Sequence, residues 1–229
     1  VINNSCGTGT VSGFENAGGL AGYNNGSINL CYSTVSVGGN FAAGGLAGRN
    51  DGVIRNCYST GRINGFSDSC GIGGFAGYQY GGDIYSSYSV GQVDGFFNVG
   101  GFVGYNENAS LVAECFWDTE TSGQTASAGG TGKTTEEMMT RSTYQRGWSF
   151  ISTWAICEHT NYPRLLWSIP EADFVCPDGV DFIDYSYFAQ RWMDTNCSDD
   201  NNCGRADLNL SGTVDTKDLM ILCQQWLDI

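Results

Sequence analysis

The stretch GGLAGRNDGVIRNCYSTGRING, Gly44 to Gly65, decides the fold because close copies of it lie on both sides. Gly18 to Val37 reads GGLAGYNNGSINLCYSTVSV, Gly73 to Val93 reads GGFAGYQYGGDIYSSYSVGQV, and Gly100 to Asp118 reads GGFVGYNENASLVAECFWD. Val1 to Gly13 reads as the back half of a further copy. The paired glycines begin at positions 18, 44, 73 and 100, so the pattern returns every 26 to 29 residues. A period in this range belongs to solenoids, where stacking buries a face that no single copy can bury alone.

Each copy holds three short stretches with strand character, broken by glycine or asparagine. In the central copy these are Leu46 with its small neighbours, Ile54 to Ser59, and Gly61 to Asn64. With one copy per coil, equivalent residues stand about 4.8 Å apart along the axis. Ladders are then predicted through Leu20, Leu46, Phe75 and Phe102; through Ile28, Ile54, Ile84 and Val112; through Val11, Val37, Ile63 and Val93; and through Tyr32, Tyr58, Tyr88 and Phe116. Cys31, Cys57 and Cys115 share one repeat position, with Ser87 in the coil between the last two. A Cys31–Cys57 disulfide is feasible at that spacing, and a buried ladder of free thiols is the alternative. The fold class expected is mainly β: a β-solenoid (β-helix) of about four coils over residues 1–120, with a capping segment and a small α-helical calcium-loop module. A flexible glycine-rich linker would not keep apolar residues in register over four copies.

The pattern GG(L/F)xG followed by I-x-N-C-Y-S-T-G resembles the GLUG repeats of large bacterial surface and secreted proteins. The resemblance covers residues 1 to about 120. It implies a β-solenoid on an exported protein, an adhesive or structural part, and it carries no catalytic residue over.

After Trp117 the register lapses, and residues 121–170 are read as a solenoid cap. Thr121 to Thr131 reads as a surface loop of Gly, Ser, Thr and Ala. Thr134 with Glu137 is a capping-box signal for a short helix through Met138 and Met139. The apolar cluster that includes Trp148, Trp154, Leu165 and Trp167 suits a cover for the last coil and its unpaired edge. It is similar to the tail that commonly follows GLUG repeats, ending in a YPRLLW-type strand. GGTGKTT, Gly129 to Thr135, only imitates a phosphate-binding loop: the glycine required five positions before Gly132 is Ser127, and no strand-to-helix context surrounds it.

The 229 residues divide by composition. Thirty of the 34 glycines precede residue 133, whereas residues 171–229 hold 12 of the 24 acids and three of the ten basic residues. A net charge of −14 with two lysines argues against nucleic acid and anionic membranes and favours metal cations. Ten cysteines indicate an oxidising setting, extracellular or at the cell surface. No apolar run approaches the ~20 residues of a membrane span. No signal-peptide pattern is read, so for a secreted protein the sequence is expected to be a processed or trimmed form.

Residues 171–229 carry a second internal repeat, offset by 34: Asp173, Asp181, Asp184 and Trp192 match Asp207, Asp215, Asp218 and Trp226. The later copy, DLNLSGTVDTKD from Asp207 to Asp218, has oxygen-bearing side chains at positions 1, 3, 5, 9 and 12 and glycine at 6. That is the pattern of a Ca2+ loop, since this hard cation takes six to eight oxygens. Asp207, Asn209, Ser211 and Asp218 are expected to ligate by side chain, Thr213 by its carbonyl, and Asp215 through water. A helix follows with Leu219, Leu222, Cys223 and Trp226 on one face. In the earlier copy, DFVCPDGVDFID, Asp173, Asp181 and Asp184 remain, but positions 3, 5 and 6 are Val175, Pro177 and Asp178, so a weaker site is expected. This tail resembles a type I dockerin, which implies two calcium loops and a cohesin partner; Phe182 and Ile183 stand where dockerins present a small polar pair to cohesin. Cys176, Cys197, Cys203 and Cys223 would staple so small a module by two disulfides, with three connectivities open.

No nucleophile with a base is found. His159, the single histidine, lies in the polar turn EHTNYP; Glu136 with Glu137 and Asp199 with Asp200 read as solvated charge. Asp51, Asp68, Asp83 and Asp94 with Arg49, Arg55 and Arg62 do not repeat in register as a catalytic groove would. The function expected is therefore that of a non-catalytic extracellular structural or adhesive protein, self-associating head to tail as a filament from the open coil at Val1 or meeting a cell-surface protein. The alternatives are a carbohydrate-binding or polysaccharide-degrading appendage, with Tyr23, Tyr78 and Tyr105 stacking on glycans, and a cohesin-type docking partner. Glycosylation acceptors stand at Asn3, Asn25, Asn108, Asn196 and Asn209.

Overall fold

The repeat closes into coils because its corners hold residues in the left-handed region. Asn4, Leu30, Asn56, Ser86 and Glu114, one per copy, all have φ between 44° and 54°. The same column thus turns the chain whether or not the residue is a good turn former. This corner divides the stretch Ile54 to Ser59 into two strands, Val53–Arg55 and Tyr58–Ser59. Each coil accordingly has four sides, where three were expected from sequence. The computed structural model describes residues 1–107, 110–197 and 201–227; the acceptor at Asn108 and the pair Asp199 and Asp200 lie outside the described residues.

All four solenoid sheets are parallel, and their register is that of the predicted ladders. Ile2, Ile28, Ile54, Ile84 and Val112 pair in one sheet. Cys6, Tyr32, Tyr58, Tyr88 and Phe116 pair in a second, and Val11, Val37, Ile63 and Val93 in a third. The fourth joins Ala21–Asn24, Ala47–Asn50, Ala76–Tyr80 and Val103–Glu107. Leu46, Ile54, Phe75, Ile84 and Phe102 fill the interior with no solvent exposure. Phe75 and Phe102 stack at 4.6 Å, and Tyr58 stacks at 4.9 Å on Tyr32 and 5.1 Å on Tyr88, close to one strand spacing.

Two polar ladders accompany the apolar ones. Asn24 Nδ2 donates to Asn50 Oδ1 (2.7 Å), and Asn50 Nδ2 donates to Gln79 Oε1 (2.9 Å), all three side chains being buried. Ser59 Oγ donates to the Gly74 carbonyl and Ser89 Oγ to that of Gly101, each at 2.7 Å. These bonds seat the paired glycines under the next coil. A Cβ on Gly44 would meet the Ala47 carbonyl oxygen at 2.1 Å and the Gly77 nitrogen at 2.6 Å, so only glycine fits.

The shared cysteines face inward as free thiols: Cys31, Cys57 and Cys115 are buried, and no Cys31–Cys57 disulfide forms. Each donates its S–H to the carbonyl two residues earlier, at 3.1, 3.0 and 3.2 Å. Burial pushes the Cys57 and Cys115 thiols well above their usual pKa.

The segment after Trp117 is more ordered than a surface loop. It runs across the last coil and touches all four sheets. Thr121 Oγ1 donates to Val90 O, Gln124 Nε2 to Val93 O, Ala128 N to Val103 O, and Thr131–Lys133 pairs with Phe116–Asp118. Gly129 lies against Val112. The helix Thr135–Met138 follows with its capping box between Thr134 and Glu137 and with Met138 buried. Trp148 then packs beside Phe116 and Tyr144 and donates Nε1–H to Glu114 O.

Two compact units result, Val1–Ser149 and Phe150–Ile229. The second contains the antiparallel pair Trp154–Ala155 and Arg164–Leu165, with Trp154 and Leu165 fully buried, followed by the acidic repeat. Its core gathers Ala172, Val180, Phe188, Ala206, Val214 and Leu222. Disulfides join Cys157 to Cys176 and Cys197 to Cys203. Cys223, expected to be paired and on the buried helix face, is free and exposed; the partner of Cys176 comes instead from Cys157, outside residues 171–229.

Candidate cation-binding module

The two acidic loops are built on one plan. In the later loop, Asp207 is 2% exposed, and its Oδ1 and Oδ2 accept from Ser211 N (2.9 Å) and Gly212 N (2.8 Å). Asp218, fully buried, accepts from Asn209 N and Asp215 N, both at 2.9 Å. Asp215 Oδ1 accepts from Lys217 N (2.7 Å), starting the helix Thr216–Leu227. Asn209 Oδ1 accepts from Ser211 N, and Ser211 Oγ lies 3.2 Å from Thr213 O. The six residues Asp207, Asn209, Ser211, Thr213, Asp215 and Asp218 are thus linked around one turn. Of the helix residues, Leu222 is buried, and Leu219 and Trp226 pack on the core.

The earlier loop repeats three of these bonds in register and the bond to one oxygen of its first aspartate from one place later. Gly179 N donates to Asp173 Oδ2, Val175 N to Asp184 Oδ1, Asp181 N to Asp184 Oδ2, and Ile183 N to Asp181 Oδ1. Asp181 and Asp184 also form a capping box for the helix Phe182–Ala189. The bond to the other oxygen of the first aspartate is missing. Where Ser211 donates to Asp207 Oδ1, the earlier loop has Pro177, which has no N–H, and Asp173 Oδ1 is buried without a hydrogen-bond partner. Burial pushes the Asp173 carboxyl up to about 6, with Asp184 and Asp178 adding to the shift. Glycine is also displaced: Gly179, one place later than Gly212, takes the left-handed turn and donates to the first aspartate. Asp178 N turns to Cys176 O instead. The Pro177 carbonyl accepts from Asn161 Nδ2 and Arg164 Nη1, so this loop is tied to its own unit by polar contacts and by the Cys157–Cys176 bond.

A carboxylate has about four lone-pair sites, so two amide bonds orient it without exhausting it. Asp207 and Asp218 are buried, and among the described residues no lysine or arginine pairs with either. Carboxylate, amide, hydroxyl and carbonyl oxygens within one turn are the donor set of a hard cation, so the residues present fit calcium. Among the described residues no three His, Cys, Asp or Glu side chains converge on one point.

The other candidates are engaged elsewhere. Arg49 forms a bidentate pair with Asp51 (2.7 and 2.9 Å), Asp51 accepts from Tyr23, and Arg62 pairs with Asp94. Tyr23, Arg49, Tyr78 and Tyr105 stand in register, with the Arg49 guanidinium 5.5 Å from the Tyr23 ring and 5.8 Å from that of Tyr78. Tyr78 lies 5.0 Å from Tyr105 with the rings tilted by 34°, while Tyr23 and Tyr105 remain exposed. Tyr78 also donates to Glu107, which raises its pKa to about 12. Lys133 of the GGTGKTT stretch pairs with Glu137.

Residues 39–64 match the GLUG motif. A protein of Evansella cellulosilytica named as a Gly-rich membrane protein is 36% identical over 99 residues, which is 41% of this chain and 11% of that protein. The chain therefore spans about a tenth of the relative it matches. No solved structure matches the chain. No helix among the described residues is long and apolar enough to cross a membrane. The chain thus carries a GLUG-motif β-solenoid of about four coils, a fold that fits a structural or surface protein.

Proposed function

We propose that this chain is a non-catalytic structural part of an exported, surface-associated protein, a rigid β-solenoid joined to a module stabilised by one Ca2+ in the Asp207–Asp218 loop. The observation that carries the calcium reading is the pair of buried carboxylates, Asp207 and Asp218, without a cationic partner among the described residues. Burying charge is unfavourable unless it is paired or holds a metal. Asp207, Asn209, Ser211 and Asp218 would supply side-chain oxygens, Thr213 its carbonyl, and Asp215 a water-bridged contact. Asp173, Asp181 and Asp184 make the weaker site, because Val175 and Pro177 bring no side-chain oxygen.

The exported setting rests on the two disulfides, on the exposed acceptors Asn3, Asn25 and Asn196, and on the Gly-rich membrane relative. Asn209 would stay unmodified while it ligates. A glycan surface is less favoured, since Tyr78, the central ring of the row, packs against Arg49 and Tyr105 of the neighbouring coils and donates to Glu107. Head-to-tail assembly is less favoured too, because residues 119–133 cover the edge after the last coil.

Calcium titration by calorimetry, with melting in calcium and in chelator, tests the reading. One tight site is expected, with a stabilisation of about 2.7 kcal/mol at a hundredfold excess over Kd. Asp207→Ala should abolish both. Equal melting with and without chelator would remove the calcium assignment.

A further inference from the structure

The sheet containing Thr10–Gly18 and Ser36–Gly44 carries a feature that neither calcium nor solenoid packing uses. Phe14, Phe41, Phe66, Phe96 and Phe97 are 65, 43, 39, 63 and 61% exposed. Phe14, Phe41, Phe66 and Phe97 lie in neighbouring strands of one sheet, and Phe96 immediately precedes the last of these. Phe41 is in register with Cys70 and Cys70 with Phe97, while Phe14 meets Phe41 edge-on at 5.5 Å. Phe66 lies over Gly38, where a Cβ would come within 2.9 Å of its ring. Stacking cannot explain these side chains, because the ladder that fills the interior from this sheet is Val37, Ile63, Ile72 and Val93.

We propose that this phenylalanine ridge is the face through which two copies of the chain associate side by side. At about 200 Å² per ring, the exposed fractions amount to about 500 Å² per copy. Pairing two ridges therefore buries about 1,000 Å², the size at which specific interfaces begin. The pattern is also self-complementary. Phe14 and Phe41 stand at one end, Phe96 and Phe97 at the other, and Phe66 with Cys70 between them. A two-fold axis near Cys70 would set each end pair against the opposite end pair of the second copy, as an isologous contact requires. Exposed Glu15 and Asp68 beside the ridge, in a chain of net charge −14, disfavour an anionic lipid surface as the occupant. The same acids repel across the axis, so the pairing should tighten as salt rises.

Sedimentation velocity of the 229-residue chain over a range of concentrations tests this. A monomer–dimer equilibrium that strengthens with salt is expected, and Phe41→Ser with Phe97→Ser should weaken it at least tenfold. Those residues are exposed, so circular dichroism and melting of the double variant should match the parent. A bis-maleimide should trap the dimer through Cys70, and both Cys70→Ser and the double variant should abolish that product. A monomer at every concentration, a dimer indifferent to the serine substitutions, or a monomer that floats with zwitterionic vesicles would overturn the proposal.

Discussion

Two internal repeats share this chain, and they are held in opposite ways. In the solenoid, Ile54 is paired directly with its counterparts Ile28 and Ile84, and Gly44 has room for nothing because the next coil lies against it. In the acidic module each carboxylate serves its own loop: Asp207 and Asp218 accept from Ser211, Gly212, Asn209 and Asp215, while Asp173 and Asp184 accept from Gly179, Val175, Phe174 and Asp181. A stacked copy is constrained by two neighbours, so a change in one coil is felt in the next. A loop closed on its own amides can diverge from its partner, and Pro177 opposite Ser211 is that divergence.

Glycine substitution is the strongest way to break this comparison. Gly44→Ala places a methyl against backbone atoms that cannot move without shifting the adjacent coil, and it should cost more than about 4 kcal/mol or prevent folding of the solenoid. Gly212→Ala meets no atom within 4 Å and costs only the strain of its φ of +90°, about 1–2 kcal/mol. Urea unfolding of the two variants measures the difference. Similar losses would mean that contact between coils does not set the glycine pattern.

The next effect is confined to the acidic module. Asp218→Ala leaves the amides of Asn209 and Asp215 without their acceptor. At roughly 1.5–3 kcal/mol for a hydrogen bond to a charged group, the loss should be about 3 kcal/mol even in chelator. Asp215→Ala removes only the bond from Lys217 N and should cost about 1 kcal/mol. Equal losses would show that Asp218 does not organise the loop.

How much of this was legible follows from the same contrast. Ladders such as Ile28, Ile54, Ile84 and Val112 announce themselves because direct contact keeps each position apolar. The fourth side of the coil was hidden because Leu30 and Glu114 occupy left-handed corners without turn chemistry, and Ser86 signals its corner only weakly beside Asn4 and Asn56. The ordered path of residues 121–131 was hidden because much of its bonding is through backbone groups, which leave no side-chain pattern. The later acidic loop was readable from its donor spacing. The displacement of the turn from Asp178 to Gly179 was not, since it depends on which amide reaches Asp173. The Cys157–Cys176 pairing was missed because Cys157 stands outside the segment whose composition marked the module.

Pro177→Ser sharpens the comparison within the module. It restores the N–H that Asp173 Oδ1 lacks and adds a hydroxyl at position 5. The regained hydrogen bond, about 1 kcal/mol, is nearly offset by the extra freedom of the unfolded chain. Melting in chelator should therefore change little, whereas the calcium stoichiometry should rise from one toward two. An unchanged stoichiometry would mean that Val175, rather than Pro177, is what weakens the earlier loop.

The smallest effect lies at a solenoid corner. Glu114 has φ +54° and an exposed side chain, in the column where two other copies already hold asparagine. Asparagine visits the left-handed region more readily than glutamate, because its short side chain hydrogen-bonds locally. The bond that Trp148 makes here goes to the Glu114 carbonyl, which Glu114→Asn retains. The substitution should stabilise the solenoid by about 0.5 kcal/mol, while Asn56→Glu, the reverse change two coils earlier, should destabilise it by more, through the same strain and through loss of the hydrogen bond that Asn56 Nδ2 donates to Asn29 Oδ1 (3.2 Å). Opposite shifts in the solenoid melting temperature would show that this column is held left-handed by the stacking of coils rather than by the residue placed there.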